Sequence, residues 1–182
     1  MGLPGRCLRA AALAASALAG LALPGGLVQA QPAPEYQVKV VLLDKLTRFV
    51  TWPQAAPGDQ PFVIGVLGRT PFGDELDAYF AHRTLKNRPV AINYYKEPGE
   101  VGECDVLFVC ASEKARIPAV IARLKGRPTL TVSDADGFAE AGVMVGIVRT
   151  QARLTFEVNL GTTRQAGFRM EPGFLQLAKL IQ

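Results

Sequence analysis

The chain is poor in the residues that usually carry chemistry. Its 182 residues hold one histidine, one tryptophan and three cysteines. The histidine, His82, stands beside Arg83 at the end of a helical pattern, where it reads as a surface residue. No G-x-S-x-G elbow supplies a nucleophile for a triad. A zinc site takes three or four His or Cys ligands, and His82 with two cysteines at opposite ends of a strand makes no such set. Gly65, Gly68 and Gly73 have the wrong spacing for G-x-G-x-x-G, and no Gly-Lys-Ser/Thr follows them. The expectation is a protein that is not an enzyme and uses no cofactor and no metal.

Long apolar runs are also scarce. The one near the start, Ala10–Leu23, falls short of the ~18 residues needed to span a bilayer. Arg6 and Arg9 precede it, Pro24-Gly25-Gly26 breaks it, and Val28-Gln29-Ala30 places small side chains at −3 and −1. Met1–Ala30 therefore reads as a secretory signal cleaved after Ala30. Cys7 lies before the apolar run, not after it, so it is not a lipoprotein attachment site. Residues 31–35 read as a leader and 36–182 as one domain, expected outside the cytoplasm in a bacterial periplasm. Without the signal the chain has 18 basic and 16 acidic residues, against a formal +4 for the whole. The bases are scattered and not interleaved with aromatics, which argues against nucleic acid.

Apolar residues make up 49% of the chain, enough for a folded core. Periodicity predicts a helix over Glu35–Val50, with Val38, Leu42, Leu46, Phe49 and Val50 near one face and Lys39, Lys45 and Arg48 elsewhere. Trp52-Pro53 ends it. Phe62–Leu67 is a continuous apolar run, the mark of a strand covered on both faces. A helix over Phe72–His82 and a strand over Pro89–Tyr95 follow. Asp105–Cys110 reads as a third strand. Ser112 is a helix cap, Ile117, Val120, Ile121 and Leu124 form a helical stripe, and Gly126 stops that helix. Thr129–Ser133, Val143–Val148 and Arg153–Val158 are further strands, the last two joined by a turn at Thr150-Gln151. Phe174, Leu177, Ala178 and Ile181 have helical spacing near the C-terminus. Strand–helix alternation predicts an α/β domain with a mostly parallel central sheet, flanking helices and an antiparallel C-terminal edge hairpin.

Two cysteines lie in the domain, Cys104 and Cys110. Six strand steps put them ~20 Å apart, whereas a disulfide needs Cα atoms within ~7 Å. They read as small buried hydrophobes, with a bond between chains as the alternative.

The binding candidates are Trp52, Phe72 and Phe138, aromatic anchors of the kind that dominate interfaces; Gly73, which opens a helix; and Ser133 and Asp134, at the carboxyl end of a strand where α/β sheets bind ligands. Each also has a structural reading: core packing for the aromatics, a turn for Ser133-Asp134. Three functions follow: a regulator acting by contact, a periplasmic small-molecule-binding sensor, and a hydrolase using Ser133 or Ser112 with His82. The hydrolase has no supporting motif.

The order of short motifs is more telling than any one of them. A helix ending Phe49-Val50-Thr51-Trp52-Pro53 is followed by Ile64-Gly65-Val66-Leu67-Gly68 and Pro71-Phe72-Gly73. Then come Cys104-Asp105-Val106-Leu107-Phe108-Val109, Leu130-Thr131-Val132-Ser133-Asp134 with Gly137-Phe138, and Phe156-Glu157-Val158-Asn159. This succession, over roughly Tyr36 to Ile181, resembles the YfiR family, also called YfiR/HmsC-like. The resemblance implies an exported α/β protein that binds the periplasmic sensor region of an inner-membrane diguanylate cyclase and represses it, lowering cyclic di-GMP and biofilm formation. It also implies a homodimer and an outer-membrane lipoprotein as a sequestering partner. Two departures stand out. Cys104 and Cys110 cannot pair with each other, and Ala141-Gly142 stands where the family commonly has two glycines.

Overall fold

The structure is a computed structural model that describes residues 33–54, 59–150 and 153–181. The proposed signal, its cleavage point and Gln151 of the expected turn lie outside them. The first helix, α1, spans Ala33–Arg48, so it begins inside the stretch read as a leader. Two residues later Val50–Thr51 form β1. Next come β2 (Phe62–Leu67), α2 (Glu75–Phe80), β3 (Thr84–Leu85) and β4 (Arg88–Tyr95). They are followed by β5 (Val106–Val109), α3 (Ile117–Leu124), β6 (Leu130–Ser133), β7 (Val145–Thr150) and β8 (Arg153–Asn159). The chain closes with α4 (Leu160–Gln165), β9 (Arg169–Met170), α5 (Pro172–Leu175) and β10 (Ala178–Ile181).

Eight strands form one sheet in the order β10-β8-β7-β6-β5-β2-β4-β3. The five from β4 to β7 run parallel. β8 turns back antiparallel to β7, and β10 adds a last strand parallel to β8 outside that hairpin. At the other edge β3 pairs antiparallel with β4. The β3–β4 loop is Lys86-Asn87, both with positive φ (50° and 63°), the geometry of a tight two-residue hairpin. β1 and β9 make a separate ribbon beside the sheet.

Alternating side chains divide the core between the two faces of the sheet. Phe62, Ile64, Val66, Val106 and Phe108 join α1 and α2 in one cluster. Leu67, Leu107 and Val109 join α3 and Phe138 in the other. On α3, Ile117, Val120 and Leu124 are buried, each contributing roughly 1.5–3 kcal/mol by leaving water. Pro118 sits in the first turn and Gly126, at φ 77°, follows its end.

Three expectations need correction. The first stripe is met only in part: Leu46 and, just past α1, Val50 are buried, but Val38 and Phe49 are exposed, and Val40, Leu43 and Lys39 are buried in their place. The C-terminal stripe is not one helix. Phe174 is buried, Leu177 is 77% exposed, and Ala178–Ile181 is a strand. β8 presents an unpaired edge there, and its ladder with β10 outweighs the helical spacing. The second helix is shorter than Phe72–His82, because Phe72 anchors in the core and Gly73 takes φ 54° before the helix begins.

Candidate functional site

In sequence order the chain leaves β2 for β4 on one side, then returns to place β5 on the other. Such a reversal opens a crevice at the carboxyl ends of the strands. Here that topological position lies between the residues after Leu67 and those after Val109, and side chains of the two loops fill it. Gly68 has φ 93°, and its amide donates to the Tyr95 carbonyl at 2.9 Å. Across from it, the Ser112 hydroxyl accepts from the Arg69 amide at 3.0 Å and donates to Glu113 Oε1 at 2.9 Å. Ser112 is therefore not a helix cap; the 3-10 turn Ala111–Arg116 starts from Cys110. The Glu113 carboxylate is 1% exposed, with Arg116 Nε 2.8 Å from its Oε2.

Beside this position α1 delivers Lys39 to the end of β6. Its ammonium lies 2.9 Å from Asp134 and 2.8 Å from Glu35, and Arg149 pairs with the same Glu35. Burial acts to lower the Lys39 pKa, but the bonds to Asp134 and Glu35 outweigh it and hold the pKa above its ordinary value. Ser133 is fully buried and donates to the Val109 carbonyl at 2.7 Å. Phe72 packs edge-on against Phe108 and Tyr36, with centroids at 4.8 and 5.8 Å. A cavity of about 500 Å³ opens there, lined by Tyr36, Phe72 and Gly73 among others.

The six residues singled out from sequence fall in three places. Phe72, Gly73, Ser133 and Asp134 meet at the carboxyl end, and of these Gly73 is exposed. Phe138 is 1% exposed in the cluster under α3, on the other face of the sheet. Trp52 sits at the opposite, amino end of the strands. Its ring meets Phe62 and Phe168 at 5.6 and 5.8 Å, Lys86 lies over it, and its Nε1 donates to the Asp105 carbonyl at 3.0 Å.

Two residues that sequence reasoning passed over dominate the amino end. The Arg88 guanidinium grips Asp105 with two bonds, at 2.8 and 3.0 Å. It also donates to the carbonyls of Gln60 and Pro61, while Asp105 accepts from the Val63 amide at 2.8 Å. Only 9% of the Arg88 side chain and 14% of the Asp105 side chain are exposed. The pair ties the starts of β2, β4 and β5 together. A sequence signal existed in each case: an arginine opening an apolar strand, and an aspartate directly before a fully buried one.

Both cysteines are free thiols, buried on opposite faces of the sheet. Burial pushes Cys104 up to about 11 and Cys110 up to about 12, from 9.0. The native thiols are expected to resist a thiol reagent at pH 8 and to react at once in denaturant. The unfolded chain loses these protons at lower pH than the folded one. Their contribution to stability is thus intact below about pH 9 and is lost as pH rises toward 11 to 12. Urea midpoints at pH 8 and pH 10 check this; the fall at pH 10 should shrink in Cys104→Ala/Cys110→Ala.

These features define an α/β domain with a parallel sheet, a reversed edge and a topological switch point. Two solved structures share that fold. An ABC domain from Streptococcus pneumonia, in complex with L-Trp, is 14% identical with a TM-score of 0.56, covering 80% of this chain and 60% of that one. A conserved domain protein from Vibrio cholerae O1 biovar eltor str. N16961 is 13% identical with a TM-score of 0.57, covering 81% and 60%. This chain thus spans 60% of the length of either. The chain belongs to the YfiR/HmsC-like family, which it matches over residues 36–179.

Proposed function

We propose that this protein is exported by its Met1–Ala30 segment and represses an inner-membrane diguanylate cyclase by binding the cyclase's periplasmic sensor region. The observation that carries the proposal is the family match, which runs from α1 into β10 without leaving a core element outside it. Repression works by population shift: the protein binds the inactive state of the sensor more tightly than the active one. A tenfold drop in cyclase output needs about 1.4 kcal/mol of that difference. The regulator performs no reaction of its own; what matters is the shape and charge of its surface, held by a rigid sheet. Trp52 and Phe72 serve that surface from beneath, Trp52 by fixing the amino end and Phe72 by fixing the loop that carries exposed Gly73.

The mature chain and the purified periplasmic region of a membrane diguanylate cyclase from the same genome test this by calorimetry. A saturable complex with micromolar or tighter affinity is expected. No binding at tens of micromolar, roughly 6 kcal/mol, overturns the proposal.

A further inference from the structure

α1 has two apolar faces and only one is used. The inner one packs on the sheet. On the outer side Val38 is 48% exposed, Val41 36% and Phe49 37%. Two more exposed apolar side chains stand in the C-terminal segment, Leu177 at 77% and Leu180 at 45%. Among the described residues the remaining large exposed apolar side chain is Tyr94, and its hydroxyl is bonded to Asp77. Single surface hydrophobes are ordinary; their concentration in one region marks an interaction site.

Leu180 lies on the same side of the sheet as α1, and Leu177 sits in the turn after Phe174, its amide donating to the Phe174 carbonyl at 3.0 Å. Ala178 pairs in register with Phe156 and packs in the cluster under α1, so Leu180, two residues on, points to that side as well. Phe49 stacks on Phe174 at 5.5 Å, and Phe174 meets Phe156 at 5.0 Å, which joins the helix to the C-terminal segment.

The charge on α1 is one-sided. Lys45 and Arg48 are exposed beside Val41 and Phe49, Arg48 by 64% of its side chain. The carboxylates of the same helix are engaged: Glu35 with Lys39 and Arg149, and Asp44, 5% exposed, with the Tyr79 hydroxyl and, at 3.7 Å, with Arg48, whose own side chain stays in solvent. An apolar stripe bordered by exposed cations suits a partner with apolar side chains bordered by carboxylates. Such charge matching raises the encounter rate and rejects partners of the wrong sign.

Resting on the repressor reading above, we infer that the outer face of α1, with Leu177 and Leu180, is the docking surface for an acidic, amphipathic segment of the cyclase's periplasmic region. Four mature proteins test it against that purified region: wild type, Val38→Asp/Leu177→Asp, Lys45→Glu, and Lys125→Glu at the end of α3 as a control on the other face. The stripe and charge-reversal variants should each bind about tenfold or more weakly with unchanged melting temperature. Wild-type affinity should fall as salt is raised, and Lys125→Glu should bind normally. Leu177→Asp alone, at a position 77% exposed, keeps the test valid if the double variant unfolds. If wild type binds and these variants bind equally well, the inference is overturned. It is equally overturned if the variants lose only self-association or only binding to anionic vesicles. If wild type does not bind the region at all, the repressor reading itself fails, and the docking surface with it.

Discussion

Gly68→Ala is expected to cost about 3 kcal/mol, and for a domain of this size to lower the melting temperature by roughly 6–12 °C. Two effects add. The backbone there has φ 93°, which a side chain disfavours by roughly 1–2 kcal/mol. A Cβ would also stand 2.4 Å from both Ser112 Oγ and Glu113 Oε1. The serine hydroxyl can turn away, but Glu113 is buried and held by Arg116, so moving it disturbs the packing between the two loops. Gly137 isolates the first effect. It has φ 80° with nothing within 4 Å of a built Cβ, so Gly137→Ala should cost only about 1 kcal/mol. Thermal melts by circular dichroism compare the two. Equal losses would show that Glu113 plays no part in the requirement for glycine at 68.

Arg88→Met should be at least as damaging, by about 3–5 kcal/mol, because it leaves the Asp105 carboxylate buried without its cation. It also strips the Gln60 and Pro61 carbonyls of their donor. Adding Asp105→Asn removes the stranded charge while keeping an acceptor for the Val63 amide. The double variant should therefore be more stable than the sum of the two single losses predicts. Trp52, the chain's one tryptophan, donates to the Asp105 carbonyl and reports on this region by its emission. Urea titrations followed by that emission give the cycle. Strict additivity would mean that the two side chains are not energetically coupled.

The parts of the fold that sequence reveals are those set by local pattern. Phe62–Leu67 and Val106–Val109 are apolar on both sides because helices or loops cover both faces, and such runs are conspicuous. The C-terminal strand is hidden because Phe174, Leu177, Ala178 and Ile181 fit a helix. Its state is decided by β8, which lies some twenty residues upstream. β1 and β9 form a two-residue pairing that depends on where distant segments land. On α1 the apolar residues nearly encircle the helix, so the pattern does not choose which of them face inward. The choice is made by Lys39, which leaves the solvent to reach Asp134, 95 residues away. The site residues divide in the same way. Ser133 and Asp134 follow from their place at a strand end. The Arg88–Asp105 pair spans 17 residues and two strands, and no short motif joins them. Trp52 looks like a surface anchor in a Trp-Pro turn, yet its ring is wedged between Phe62 and Phe168.

The central claim is that the protein acts from outside the inner membrane by contact alone. Its most direct test is the intracellular cyclic di-GMP level of a strain lacking the gene, complemented with either the full chain or a version without Met1–Ala30. The account predicts that the full chain restores low cyclic di-GMP and that the version kept in the cytoplasm does not. Equal restoration by both, or by neither, would contradict it.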